Sequence, residues 1–287
     1  MSEVSKGRRR NVSSRQHDAR RYGRGTIAMK GKPYRYIYGP VPSWRLGSSL
    51  GIDPLSQDRK ICTFDCVYCQ IGNIESFTDE RNEFVKISDI VEELDRLPLL
   101  KIDYITFSGT GEPTLAKNLG QMIRALKKIR NEKIAVLTNS SLMDREDVQE
   151  DLSAADFVAA KLDAATEDVF EPVNKPMSTI KLDRIIEAIK KFRTRYPGKL
   201  ALQIMCIEEN RRQAEEIAAI AREIKPDEVQ LNTPLRPCRV RSLSREEMDR
   251  IKGYFSGINV ISVYESEKKK VKPVSDEATL RRRGKVG

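Results

Sequence analysis

Three cysteines fall within eight residues, Cys62-Thr63-Phe64-Asp65-Cys66-Val67-Tyr68-Cys69, in a C-x3-C-x2-C spacing. Thiolates are soft ligands that suit zinc or iron–sulfur clusters. Cysteines this dense in a chain read as intracellular point to metal rather than to disulfides. A structural zinc site needs a fourth ligand. No histidine stands near, and the other cysteines, Cys206 and Cys238, lie far along the sequence. Zinc therefore stays an alternative that requires one of them to approach in space. Three thiolates on a four-iron cluster leave one iron open to a substrate or cofactor. The single histidine, His17, sits in a polar, basic stretch. Chemistry built on a histidine base, a Ser–His pair or a multi-histidine metal site is thereby excluded.

These cysteines need a scaffold, and the hydrophobic pattern supplies one. Short apolar or β-branched runs at 49–53, 102–108, 133–138, 157–162, 200–207 and 228–232 read as strands. A further run at 258–264 reads as an edge strand. Helical patterns begin near Asp89, Leu119, Asp144, Ser178, Asn210 and Ser244. Ser244 with Glu247 fits a capping box, and Asp89 with Glu92 resembles one. Alternation of this kind predicts an α/β fold with a parallel sheet and right-handed crossovers. Its size fits a partial six-unit β/α barrel or an open doubly wound sheet. Chemistry in such folds sits at the carboxyl ends of the strands. The loops there hold Cys62, Cys66 and Cys69, then residues 109–112, 139–141, Asp163, Glu208 and 232–238.

The chain has 287 residues, enough for a sizeable core without disulfides. Mean hydropathy is −0.52, and no 18-residue uncharged apolar run is present, so no transmembrane helix is expected. No apolar segment follows the start, so a cytoplasmic, reducing location is expected. Net charge is +10 and unevenly placed. Residues 1–36 hold 11 Lys/Arg against 2 acids, and residues 268–287 hold 8 against 2. The intervening segment is mildly acidic. The expected organisation is a basic flexible extension over 1–36, a core domain over 37–264, and a basic tail over 265–287. Basic termini can act as electrostatic arms on RNA or DNA, or be merely solvated ends.

The cysteine spacing, with Tyr68 before the last cysteine on the loop after the first strand, resembles the radical S-adenosylmethionine (SAM) superfamily. The resemblance implies a [4Fe-4S] cluster on Cys62, Cys66 and Cys69, with SAM on the open iron. Reductive cleavage of SAM would give a 5′-deoxyadenosyl radical that abstracts hydrogen from a substrate. Thr110-Gly111-Glu112 resembles the family's Gly-Gly-Glu segment, with threonine for the first glycine. Gly111, Glu112, Asn139, Ser140, Asp163 and Tyr68 are the implied cofactor-binding residues, and Lys161 fits a neighbouring position. Segments 39–43, 46–53, 163–176 and 231–234 are similar to an iron–sulfur oxidoreductase branch related to the wyosine-base synthases of tRNA. Those synthases carry further upstream cysteines, whereas no cysteine precedes Cys62 here. Relatives often continue into a winged-helix-like module, expected here to be absent or a stub.

The implied substrate is a modified nucleoside or RNA, reached through the basic termini, with an electron donor such as flavodoxin or ferredoxin and no membrane. The alternatives are a non-catalytic iron–sulfur or zinc protein that binds nucleic acid, and an activase that makes a radical on a partner protein. Cys206 reads as core, Cys238 as an incidental loop cysteine, and Trp44 as packing. Arg236 and Arg239 are candidates for an anionic substrate group, since a guanidinium fork suits carboxylate and phosphate.

Overall fold

The computed structural model describes residues 32–74, 76–266 and 269–283. His17 and most of the N-terminal extension lie outside the described residues. Ten strands are present among those described: β1 Ile37–Ser43, β2 Gly47–Ile52, β3 Ile61–Cys62, β4 Ser76–Phe77, β5 Tyr104–Phe107, β6 Lys133–Thr138, β7 Phe157–Lys161, β8 Lys199–Met205, β9 Glu228–Asn232 and β10 Val260–Ser262. Eight helices accompany them: α1 Ile87–Asp95, α2 Leu119–Ile129, α3 Glu146–Ser153, α4 Glu167–Asn174, α5 Leu182–Arg195, α6 Ala214–Ile224, α7 Arg245–Gly253 and α8 Asp276–Arg283.

Eight strands form one sheet in the order β1-β2-β5-β6-β7-β8-β9-β10, curled into a half-barrel. All neighbours from β2 onward are parallel. The two faces of each strand do different work, because side chains alternate. Ile105 and Phe107, Ile134 and Val136, Val158 and Ala160, Leu200 and Leu202, and Val229 and Leu231 are fully buried in the main core. Ala135, Phe157, Ala159 and Ala201 form a separate cluster with Leu137. Helix α2 shows how the outer layer is held. Leu119, Met122, Ile123 and Leu126 fall on one helical face and are buried, while Lys127 and Lys128 complement the dipole at its last turn.

The six expected β/α units and the edge strand β10 are present. Two local features differ from expectation and one agrees. Strand β1 is an additional antiparallel strand on β2; its Gly-Pro-Val-Pro composition masks it as loop. The Ser244–Glu247 capping box is present at α7. The Asp89–Glu92 box is not, because α1 begins two residues earlier with Lys86 as N-cap and no side-chain cap.

Within the segment read as a basic tail, residues 276–283 form α8. The chain returns from β10, at one edge of the sheet, to β1 at the other. Val274 N–H donates to the Gly39 carbonyl at 2.6 Å, and Gly39 N–H donates to Thr279 Oγ1 at 3.0 Å. Arg282 then reaches into the body. Its Nε donates to Asp53 Oδ2 at 3.1 Å, with both side chains about 1% exposed. Asp53 Oδ2 also accepts from Thr110 Oγ1 at 2.9 Å and Thr110 N at 3.2 Å. The threonine that departs from the family pattern is thus tied to the carboxyl end of β2.

Arg282→Ala would strand a buried carboxylate, and removing one partner of a buried ion pair costs about 3–5 kcal/mol. The expected result is a lower urea midpoint with little change in m-value. An unchanged midpoint would show that α8 is not anchored by this pair.

Candidate active site

The cysteine loop has almost no regular structure of its own, so its backbone must be satisfied by neighbours. Along one side it runs beside the end of α4. Asp65 N–H donates to the Lys175 carbonyl at 3.1 Å, Val67 N–H to Val173 at 3.0 Å, and Met177 N–H to the Thr63 carbonyl at 3.0 Å. Phe64 packs edge-on against Phe170, with centroids 5.5 Å apart. On the other side Glu112 N–H donates to the Ile61 carbonyl at 3.2 Å. A Cβ on Gly111 would lie 1.8 Å from that same carbonyl oxygen. The glycine is therefore required by the close approach of the cysteine strand. Gly109, with φ +152°, similarly makes room for Asp53, whose Cγ would lie 2.4 Å from an added Cβ.

Two amides hold two of the sulfurs. Asn139, just after β6, donates from Nδ2 to Cys62 Sγ at 3.5 Å and to Thr63 Oγ1 at 2.7 Å. Asn174, the last residue of α4, donates from Nδ2 to Cys66 Sγ at 3.5 Å, to Tyr68 OH at 3.0 Å and to Asp163 Oδ2 at 2.8 Å. Arg239, after β9, donates to the Cys66 carbonyl at 3.1 Å and meets Asp65 Oδ2 at 3.3 Å. This arginine, read from sequence as an anion binder, instead clamps the cysteine loop.

The three cysteines line one cavity of about 190 Å³, with Lys60, Tyr68, Gly111, Glu112 and Asn139. Leu137, Ala159 and Gln203 continue its wall along the inner face of the sheet, toward Arg45. Among the described residues, no three Cys, His, Asp or Glu side chains converge on the position of a single ion. A lone zinc requires such convergence. Thiolates of a multi-iron cluster each take a different iron, so their sulfurs spread around the cluster.

Burial, followed by the Glu112 charge, pushes the Cys62 thiol up to about 12. Burial and Asp163 push Cys66 up to about 11. Burial lowers the Lys60 pKa, but Cys69 and Cys62 outweigh it and the net shift is upward. Burial also raises Glu112, against hydrogen bonds from Asn139 N, Thr138 and Thr114.

Of the residues singled out from sequence, Cys62, Cys66, Cys69, Tyr68, Gly111, Glu112, Asn139 and Lys161 meet at this cavity. Ser140 and Asp163 stand behind it. Ser140 is fully buried at φ +70°, completing the turn after β6. Asp163 Oδ1 accepts from Met205 N–H at 2.7 Å, and its Oδ2 accepts from the Tyr68 hydroxyl. Lys161 Nζ lies 2.6 Å from Gln203 Oε1 and 5.1 Å above the Tyr68 ring centroid. Cys206 is buried in the core. The Cys238 thiol lies 3.2 Å from the Val240 carbonyl and is not on the cavity wall. The Arg45 guanidinium sits 5.1 Å from the Trp44 ring. Sequence reasoning missed Asn174, Lys60, Arg45 and Gln203. For Asn174 the signal was present, since it ends the Phe-Glu-Pro-Val-Asn run that marks the branch.

Asn174→Leu keeps the side-chain volume and removes the donor shared by Tyr68 and Asp163. Leaving buried acceptors short costs about 1–3 kcal/mol, so thermal unfolding of the metal-free protein should shift downward accordingly. No shift would mean that Asn174 does not hold the loop.

Comparison with known proteins follows the same outline. A family model described as the radical SAM superfamily matches residues 59–225. UPF0026 protein slr1464 of Synechocystis is 42% identical over 216 residues, covering 73% of this chain and 78% of its own length. UPF0026 protein MJ1312 of Methanocaldococcus jannaschii is 41% identical over 207 residues, covering 70% of this chain and 64% of its own. The solved structure of TYW1 with a lysine–pyruvate adduct bound superposes with a TM-score of 0.58 at 16% identity. That match covers 73% of this chain and 74% of TYW1, and at such identity the likeness concerns the fold.

Proposed function

We propose that this chain, which belongs to the radical SAM superfamily and is a radical SAM enzyme, holds a [4Fe-4S] cluster on Cys62, Cys66 and Cys69 and binds SAM against it. One observation carries the reading: three thiols share one cavity wall, and the sulfurs of Cys62 and Cys66 each receive an amide N–H, from Asn139 and Asn174. Donors aimed at sulfur favour thiolate ligation and tune a cluster.

When bound, the cluster and SAM supply one-electron cleavage of SAM to methionine and a 5′-deoxyadenosyl radical, which takes a hydrogen atom from the substrate. The chain's own residues do the rest. Lys60 sets an ammonium beside the thiolates and offsets part of their charge. Gly111, Glu112, Asn139 and Tyr68, which line the cavity, would hold SAM. Ser140 and Asp163 position Asn139 and Tyr68 from behind. The apolar wall of Phe64, Leu137 and Ala159 would exclude water from the cavity.

The substrate class we favour is a modified nucleoside or RNA, supported by the resemblance to the wyosine-synthase branch and by the basic segment 1–36. That segment is proposed as an RNA-binding arm, residues 37–264 as the core domain. A reductant such as flavodoxin or ferredoxin supplies the electron. Among the described residues, no helix is long and apolar enough to cross a membrane.

Anaerobic reconstitution with iron and sulfide, then reduction with SAM, should yield 5′-deoxyadenosine by chromatography, and Cys66→Ala should yield none. A loaded four-iron cluster that cleaves no SAM under several reductants would sink the reading. Deleting residues 1–25 should weaken RNA binding and flatten its dependence on salt. Equal affinity and slope in both proteins would remove the arm.

A further inference from the structure

The cavity wall away from the cysteines carries donors with nothing to donate to. Arg45 lines it from the turn between β1 and β2, at the amino-terminal ends of the parallel strands. The cysteines follow the carboxyl end of β2, so Arg45 and the thiols face one cavity from opposite ends. The Arg45 Nε is buried with no partner among the described residues. So is the Nε2 of Gln203 in β8, whose Oε1 already accepts from Lys161 at 2.6 Å. Both orphans are donors, and both line the cavity.

Two further guanidiniums gather near Arg45. Arg236 comes from the loop after β9 and donates to the carbonyl of Arg283, the last residue of α8. Among the described residues, none of the ion pairs involves Arg45, Arg236 or Arg283. The acid whose charge reaches Arg45 is Glu228. Its oxygens are taken by Lys199 at 2.5 Å and Gln230 at 2.6 Å. Burial and the Arg283 charge push Arg45 and Arg236 down to about 10 each, so all three cations repel one another while still ionised at neutral pH. Packing three half-buried cations together without a counter-charge is costly, and a bound anion returns that cost.

We propose that this end of the cavity binds the phosphate group of a small phosphorylated substrate, contacted by Arg45 and Gln203 and held in the field of Arg236 and Arg283. The inference rests on the reading above, in which the cysteine end is the reaction centre: an anion anchored at Arg45 extends the rest of the molecule toward the thiols. A phosphate is favoured over a carboxylate because three guanidiniums match a dianion better than a monoanion. Of the two substrate classes proposed above, the nucleoside, as a small phosphorylated molecule, is favoured here over RNA because both donors line the inside of the cavity.

The test is calorimetric titration of inorganic phosphate into the anaerobically reconstituted protein. Arg45→Gln should weaken binding about tenfold or more, equivalent to about 1.4 kcal/mol. Arg45→Lys, which keeps the charge and loses the fork, should fall between. If Arg45→Gln does not fold, as read by circular dichroism, Arg236→Gln should weaken phosphate binding several-fold through the field alone. Unchanged affinity in the folded variants overturns the site. Acetate binding as tightly as phosphate overturns the choice of a dianion. Displacement of phosphate by a short single-stranded RNA of much higher affinity overturns the choice of a small molecule. Iron content of wild type and Cys66→Ala, measured on the same preparations, tests the cluster separately. Phosphate binding without iron loading would leave the anion site standing and remove the cluster.

Discussion

The whole site depends on how a loop without secondary structure of its own is made to hold one shape. Apart from a turn bond from Cys69 N–H to the Cys66 carbonyl, residues 61–69 satisfy their buried backbone largely by borrowing partners. They take them from residues 173–177, the end of α4 and the turn that follows it, and from Glu112 after β5. Both lenders are themselves fixed. The first is pinned by Phe170 under Phe64 and by Asn174 on Asp163. The second is pinned by Asp53, which holds Thr110 and is held in turn by Arg282 of α8. A chain of buried polar contacts therefore runs from the C-terminal helix to the cysteines. In a low-dielectric interior such a chain tolerates few alternatives, because each unpaired member is expensive.

This explains which parts were legible in the sequence. Short apolar and β-branched runs alternating with helical patterns made β5 to β9 readable, and the strand-end rule led to Cys62, Glu112 and Asn139. What escaped was set by pairing across distance. Asn174 lies 108 residues from Cys66, and nothing local announces that its amide will sit on that sulfur. Helix α4 carries an internal proline, Pro172, which depresses a helical reading even though the last turn is what the cysteine loop needs. Gly111 was read as a cofactor-binding residue; in the structure, what approaches it is the cysteine strand's own carbonyl.

The basic tail shows the same limit from the side of charge. Counting arginines treats them alike, whereas burial and partners separate them sharply. Arg282 is spent on Asp53, and Arg239 on Asp65 and the Cys66 carbonyl. Arg45, Arg236 and Arg283 have no acid of their own among the described residues. Net charge announces an anionic partner without saying which cations are free to meet it.

A half-barrel must also deal with its two edges, since an exposed edge strand offers unpaired N–H and C=O groups to any passing chain. Here the last segment returns from β10 to pair with Gly39 in the bulge of β1. In doing so it shields the β1 edge, delivers Arg282 to the polar chain that steadies the cysteine loop, and brings the Arg283 carbonyl to Arg236. Edge protection, site rigidity and local positive charge thus share one short stretch of backbone. A change that loosens α8 would disturb all three together, although α8 lies outside the 59–225 span that the family model covers.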